Sequence, residues 1–192
     1  MVQLLFGVVI VADLLMLFVI LFSILFPKSR IWPPPKRGTW QQGVSWALFT
    51  ITMFGVPLIG ILDFGSLGYA HWGRFIFGGL SFAIGLWIDL WGSKTLSAQQ
   101  SLGAKGKIIT TGPYGYTRNP QYVGFFLIYA GLILVTYSFM TLVTGVFLIF
   151  LFFIIPFSEE PWLRQQYGEE FEKYCKAVPR FIGVRSFKTM MQ

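Results

Sequence analysis

Residues 122–157 read YVGFFLIYAGLILVTYSFMTLVTGVFLIFLFFIIPF, a run with no charged side chain anywhere in it. A bilayer core takes about 20 apolar residues as one helix, so this run is nearly two spans long. It predicts a helical hairpin, 120–137 and 139–157, turning near 136–139. A hairpin brings its two flanks to the same membrane face. Upstream lies Thr-Thr-Gly-Pro-Tyr-Gly-Tyr-Thr-Arg-Asn-Pro-Gln-Tyr-Val-Gly, residues 110–124; downstream stand Glu159 and Glu160. Gly112 and Pro113 signal a turn, and Asn119 before Pro120 reads as an N-cap followed by proline in the first helical position. The free N–H groups and positive dipole end of that helix, beside Arg118, would face an anion, with Tyr114, Tyr116 and Tyr122 close by.

The rest of the chain fits the same solvent. Of 192 residues 55% are hydrophobic and 12% charged, with a mean hydropathy of +0.64, too apolar for a soluble domain. Further runs of spanning length occupy 4–26, 44–64 and 72–91. The expectation is an all-α integral membrane protein of five spans forming one domain, 1–192, with a polar region from 92–121 and 158–182. No Lys or Arg precedes the first run and no small-residue cleavage site precedes Pro27, so that run is expected to stay in the mature chain. Of the 15 Lys and Arg residues, all but Arg74 fall on one side of this topology, which places the N-terminus outside and the C-terminus in the cytosol. The net charge of +7 then reads as topology and attraction to anionic headgroups rather than nucleic acid. With Cys175 the sole cysteine, an internal disulfide is excluded.

Individual residues carry narrower expectations. Asp13 sits near the middle of the first span, where an ionised carboxylate costs roughly 2.5–3.5 kcal/mol. It must face protein or be protonated, and is expected as a structural hydrogen-bond partner of another helix, with a direct role in function as the alternative. The linker containing Ile-Trp-Pro-Pro-Pro-Lys-Arg, 31–37, is expected as extended polyproline with Trp32 and Trp40 at headgroup level. His71 reads as a polar residue of the outer turn, and Ser81 and Gly85 as a close helix contact. The 92–121 loop is too long for a plain connector and holds Gln99, Lys105, Lys107, Ile108 and Ile109. Beyond the glutamates, Leu163, Tyr167, Phe171, Tyr174 and Val178 recur at helical spacing, predicting one amphipathic helix that packs its stripe, with Cys175, on the loop or the membrane surface.

The hairpin makes neighbours of a cationic, aromatic cluster and a pair of carboxylates. A zwitterion with a carboxylate, an ammonium, a flat base and another positive centre would satisfy both, and S-adenosylmethionine has all four. Its carboxylate suits Arg118 or the helix start, its ammonium Glu159, and its sulfonium a tyrosine face. The chain has no G-x-G-x-x-G after a strand and no metal-ligand constellation.

Gly112-Pro113-Tyr114, Arg118-Asn119-Pro120-x-Tyr122-x-Gly124, Glu159-Glu160-x-x-Leu163, Tyr167-Gly168-Glu169-Glu170-Phe171 and Val178-Pro179-Arg180 together resemble the C-terminal signature of the isoprenylcysteine carboxyl methyltransferase family, most closely a small prokaryotic or archaeal member. The resemblance covers about 99–180. It implies a membrane enzyme that moves a methyl group from S-adenosylmethionine to the C-terminal carboxylate of a prenylated cysteine. It implies cofactor contacts from Gln99, Lys107, Ile108, Ile109, Tyr114, Asn119, Pro120, Gln121, Tyr122 and Glu159. The sequence departs from the family at two positions. Asn119 stands where histidine is usual, and Ile155 where animal members carry an arginine thought to meet the substrate carboxylate.

The expected catalytic set is Arg118 for an anion, Glu159 for the cofactor ammonium, and Glu160. Partners would be a prenylated small molecule or protein C-terminus and membrane lipids, with neither nucleic acid nor metal. Three other readings stand beside this one: a phospholipid amine methyltransferase with Glu160 as base, a reductase using NADPH, and a non-catalytic membrane binding or transport protein.

Overall fold

The computed structural model describes residues 1–68, 71–96, 108–183 and 186. Among them no strand occurs. Six α-helices are described: α1 Val2–Leu25, α2 Trp40–Leu62, α3 Gly73–Thr95, α4 Pro120–Thr136, α5 Phe139–Tyr167 and α6 Glu169–Ala177, with 3-10 turns at Pro27–Ser29 and Gly112–Gly115. By length and composition α1, α2, α3 and α5 can each cross a membrane, whereas α4 is an apolar helix of 17 residues, about 25 Å long at 1.5 Å per residue. Leu4, Phe54, Ile61 and Phe77 are each at least 70% exposed, a surface suited to lipid rather than water.

The hairpin forms as its uncharged sequence predicts. Tyr137 and Ser138 make the turn, Tyr137 in the left-handed region at φ 47° and Ser138 capping α5 by accepting from the Thr141 N–H at 3.0 Å. Asp63, just past α2, accepts from Ser66, Ser138 and the Met140 N–H, so the end of α2 is tied to the hairpin turn. His71 accepts from the Gly73 N–H at 3.1 Å, beside the first turn of α3.

Helix α5 runs through the middle of the bundle, packed by α1, α2 and α4. Its Leu148, Leu151, Phe152 and Ile155 are almost fully buried. Phe152 is the centre of an aromatic stack, with Phe125, Tyr122, Tyr129 and Phe49 rings at 4.6, 5.8, 6.1 and 6.5 Å. Such stacked pairs add about 0.5–1.5 kcal/mol each beyond the area they bury.

Helix α3 is held differently. It lies antiparallel against α4 through glycines seven residues apart, Gly78 and Gly85 facing Gly131 and Gly124. A Cβ on Gly131 would stand 2.5 Å from the Gly78 carbonyl oxygen, and one on Gly85 would stand 2.6 Å from that of Gly124. Backbone meets backbone here. Ser81 adds a hydrogen bond to the Leu127 carbonyl at 2.8 Å, which bears out the expected close contact at Ser81 and Gly85. In lipid, where apolar burial gives helices no preference for one another, such contact is a main source of association.

Three expectations need correction. Asp13 does face protein and is fully buried, but among the described residues neither carboxylate oxygen meets a hydrogen-bond donor, so the expected bond to another helix is not made there. The linker is not extended polyproline. Ser23 Oγ accepts from the N–H groups of Ile31 and Trp32, each at 3.0 Å, and this turns the chain inward. Trp32, only 6% exposed, packs edge-on against Phe49 and Trp46 instead of lying at headgroup level, while Trp40 is exposed. Finally, the amphipathic segment is two helices. α5 continues to Tyr167, Gly168 takes φ +53°, and α6 starts afresh at Glu169. A residue with a side chain is strained at that φ, so glycine permits the break.

The α3–α4 contact yields a matched pair of substitutions. Gly131→Val forces Cβ and two methyls against immovable backbone and is expected to destabilise the protein by about 1–3 kcal/mol or more. Gly79→Ala, which meets nothing within 4 Å, should leave it as stable or raise its stability by up to about 1 kcal/mol, because alanine is the better helix former. Thermal unfolding in one detergent compares the two; equal midpoints would contradict the packing described.

Candidate active site

The polar flanks of the hairpin converge. α4 starts at Pro120, and α5 runs past the apolar sequence to carry Glu159 and Glu160 beside residues 118–122. Both glutamates lie between Pro156 and Pro161, two prolines that α5 passes through. Although consecutive, the carboxylates have different partners.

Glu160 is 4% exposed and is held by three arginines. Arg180 donates from Nε at 2.6 Å and Nη2 at 2.8 Å, Arg118 from Nη2 at 3.0 Å and Arg164 from Nη2 at 3.3 Å. Burial alone would raise its pKa, but the Arg180 hydrogen bond and the charges of Arg118, Arg180 and Arg164 outweigh burial and hold it below the ordinary 4.5. Glu160 stays ionised. Arg118, expected to anchor a bound anion, gives Nη2 to this internal one, and its buried Nε has no hydrogen-bond partner among the described residues.

Arg180 is fixed by a strap of chain after α6. The Arg118 N–H donates to the Pro179 carbonyl at 2.9 Å, Thr117 Oγ1 and Asn119 Nδ2 donate to the Arg180 carbonyl at 3.0 and 2.9 Å, and Ser186 Oγ donates to the Tyr116 carbonyl. The Arg180 guanidinium lies 3.9 Å from the Phe157 ring centre, and Phe181 packs on Phe126 and Phe153. Asn119 thus occupies the N-cap position as its spacing predicts, yet its side chain does not cap α4 and latches the strap instead.

Glu159 faces another way. Its Oε1 accepts both the Tyr122 hydroxyl at 2.8 Å and the Trp32 indole N–H at 2.9 Å, and its Oε2 accepts from no described residue. It stands beyond the uncharged run, where burial pushes its pKa up to about 7; the Tyr122 and Trp32 hydrogen bonds oppose that rise, and the Glu160 charge adds to it.

Glu159 lines a cleft of about 200 Å³. Ile108, Ile109, Tyr114, Arg118, Asn119, Pro120, Gln121, Tyr122 and Glu160, all singled out from sequence, line it as well. Gln99 and Lys107 lie outside the described residues. Gln121 is already engaged, donating to Ser93 Oγ on α3 at 2.8 Å. The stripe residues Leu163, Tyr167, Phe171 and Tyr174 form another wall and pack with Ile108, so the stripe does turn onto the loop. Sequence reasoning missed Trp32, Pro33, Leu96, Pro156 and Trp162 as lining residues. Of these, Trp162 carried a signal, an aromatic two positions after the glutamate pair. A ligand pocket commonly measures roughly 300 Å³ or more, so the space between the described walls matches only part of a nucleoside-sized ligand.

Comparison with known sequences adds to this geometry. The family described as phospholipid methyltransferase matches residues 73–170, just over half of the chain. A steroid 5-alpha-reductase of Solanum lycopersicum is 30% identical over 111 residues, 58% of this chain and 43% of that protein. The chain therefore spans less than half the length of this relative. No solved structure matches it.

The arginine cluster predicts unequal mutational costs. Glu160→Gln leaves Arg118, 10% exposed, without its carboxylate and should cost about 3–5 kcal/mol. Arg164→Ala removes a 44% exposed partner and should cost about 1 kcal/mol or less. Because the Glu160 pKa is lowered on folding, its contribution is complete above pH 4.5 and lost as pH falls through the folded value. Thermal unfolding as a function of pH checks all three statements; equal losses for the two variants would contradict them.

Proposed function

Because the chain belongs to the phospholipid methyltransferase family, a family of membrane methyltransferases, we propose that it transfers a methyl group from S-adenosylmethionine to a lipid-linked carboxylate. The acceptor class is a prenylated cysteine or a similar carboxylated lipid, and the reaction takes place at the cytosolic face of the membrane. In this reading α4 is a fifth span and the N-terminus lies outside.

The observation that carries the reading is the division of labour between adjacent glutamates. Glu160 is occupied by three arginines, while Glu159 offers Oε2 to a cleft lined by aromatic rings. The donor set fits a zwitterion: Glu159 for an ammonium, and for a carboxylate Arg118 Nε, which meets no acceptor among the described residues, with the first N–H groups of α4, which have no side-chain cap. Tyr114, Tyr122 and Trp162 supply faces for a flat ring or a cation. When bound, the cofactor supplies an electrophilic methyl group.

The chain's own residues then have little proton chemistry to do. An acceptor carboxylate is already ionised, so no general base is required, and catalysis rests on alignment and exclusion of water. Glu160, held ionised among arginines, is engaged as a structural partner, which favours a carboxylate acceptor over an amine that would need Glu160 as base. A nicotinamide-dependent reductase is the second reading, and the steroid 5-alpha-reductase relative supports it.

With methyl-labelled S-adenosylmethionine and an S-farnesyl cysteine derivative, the purified protein should form a base-labile methyl ester, and Glu159→Ala should slow this by about 10–100-fold, as loss of a charged hydrogen bond of about 1.5–3 kcal/mol implies. Base-stable label on phosphatidylethanolamine, at a rate rising with pH, would replace the carboxylate acceptor by an amine.

A further inference from the structure

The family match begins at residue 73, but the ionisable centre of the cleft is held from residue 32. Trp32 reaches Glu159 across 127 positions of sequence. Three features fix it there. Ser23 Oγ, which itself donates to the Val19 carbonyl at 2.7 Å within α1, accepts from the Trp32 and Ile31 N–H groups. Phe49 of α2 packs edge-on against the indole at 5.0 Å. The indole N–H then meets the same Glu159 oxygen that Tyr122 of α4 meets.

Two donors on one oxygen do two things. They stop the carboxylate from rotating, so that Oε2 is the oxygen left for a ligand. They also stabilise the ionised form at a site whose burial disfavours it. We propose that Trp32 is a positioning residue for Glu159, and that the α1–α2 unit, outside the family-matched region, thereby sets the aim and charge of the carboxylate that receives the cationic end of the cofactor. This rests on the reading of Glu159 given above. The indole cannot titrate. Around Glu159 stand Glu160 and Tyr167 on α5, Tyr122 at the start of α4, Arg118 just before it, Tyr114 on the 3-10 turn and Tyr174 on α6. The arginine is engaged with Glu160, and burial raises the pKa of Tyr114 and Tyr174, so among these described groups Glu159 is the one that changes charge near neutrality.

The test is calorimetric titration of the full-length protein in detergent with S-adenosylhomocysteine between pH 5.5 and 8.5, for wild type, Trp32→Phe and Ser23→Ala. Wild-type affinity should fall as pH drops through the Glu159 titration. Trp32→Phe should move that midpoint upward by about 0.5–1 unit, weakening binding about two- to fivefold at pH 7, where the wild-type group is half ionised, about three- to tenfold at pH 5.5 and little at pH 8.5. Ser23→Ala, which keeps the indole but frees its backbone, should move it in the same direction and decides the matter if Trp32→Phe does not fold. A midpoint unchanged in the folded variants, or affinity lowered equally at every pH, would overturn the positioning role. Absence of wild-type binding at every pH would instead overturn the methyltransferase reading beneath it.

Discussion

One buried carboxylate, Glu160, joins three parts of the chain: the polar turn before α4 through Arg118, its own helix through Arg164, and the strap after α6 through Arg180. The cost of taking these charges from water is met only because each lone pair of Glu160 is used, and removing one buried member leaves another without a counter-charge. Everything else at this end of the bundle follows. With Arg180 fixed, its carbonyl orients Asn119 and Thr117, and with Glu160 committed inward, its neighbour Glu159 is left to the cleft.

The clasp works because the bundle delivers its members to the same height. The backbone contact of α3 with α4 sets where α4 begins, and Asp63 pins the hairpin turn at the opposite end. α5 is then long enough to rise out of the apolar layer carrying both glutamates. Its central position in the core, stacked through Phe152 on residues of α2 and α4, gives the carboxylates a rigid base. Electrostatic recognition in a buried cleft depends on such fixed dipoles and charges more than on their number.

The hairpin was legible because 36 uncharged residues have few alternatives, and from the hairpin came the meeting of Arg118–Tyr122 with the glutamates. Their division of roles was not legible. Successive residues on a helix point about 100° apart, so Glu159 and Glu160 must face different surroundings, yet nothing in the sequence says which one meets the arginines. The reading that gave Arg118 to a ligand missed an internal partner 42 positions away. Trp32 was beyond reach for a similar reason: its hydrogen bond spans 127 positions and depends on Ser23 turning the linker inward, whereas three prolines argued for an extended segment. The break at Gly168 was hidden because the apolar spacing continues across it. The Gly78, Gly85, Gly124 and Gly131 pattern was open to view, but only its Ser81–Gly85 part was read.

Cofactor class is where the family assignment and the steroid 5-alpha-reductase relative point in different directions, and the role proposed for Glu159, whose Oε2 accepts from no described residue, separates them. On that proposal the cleft receives an ammonium and should distinguish S-adenosylhomocysteine from NADPH. Calorimetric titration of the purified protein with each ligand, beside Glu159→Ala, tests this directly. The account predicts saturable binding of S-adenosylhomocysteine, weakened at least tenfold in the variant, and none of NADPH. Binding of NADPH alone, unaffected by loss of Glu159, would contradict it.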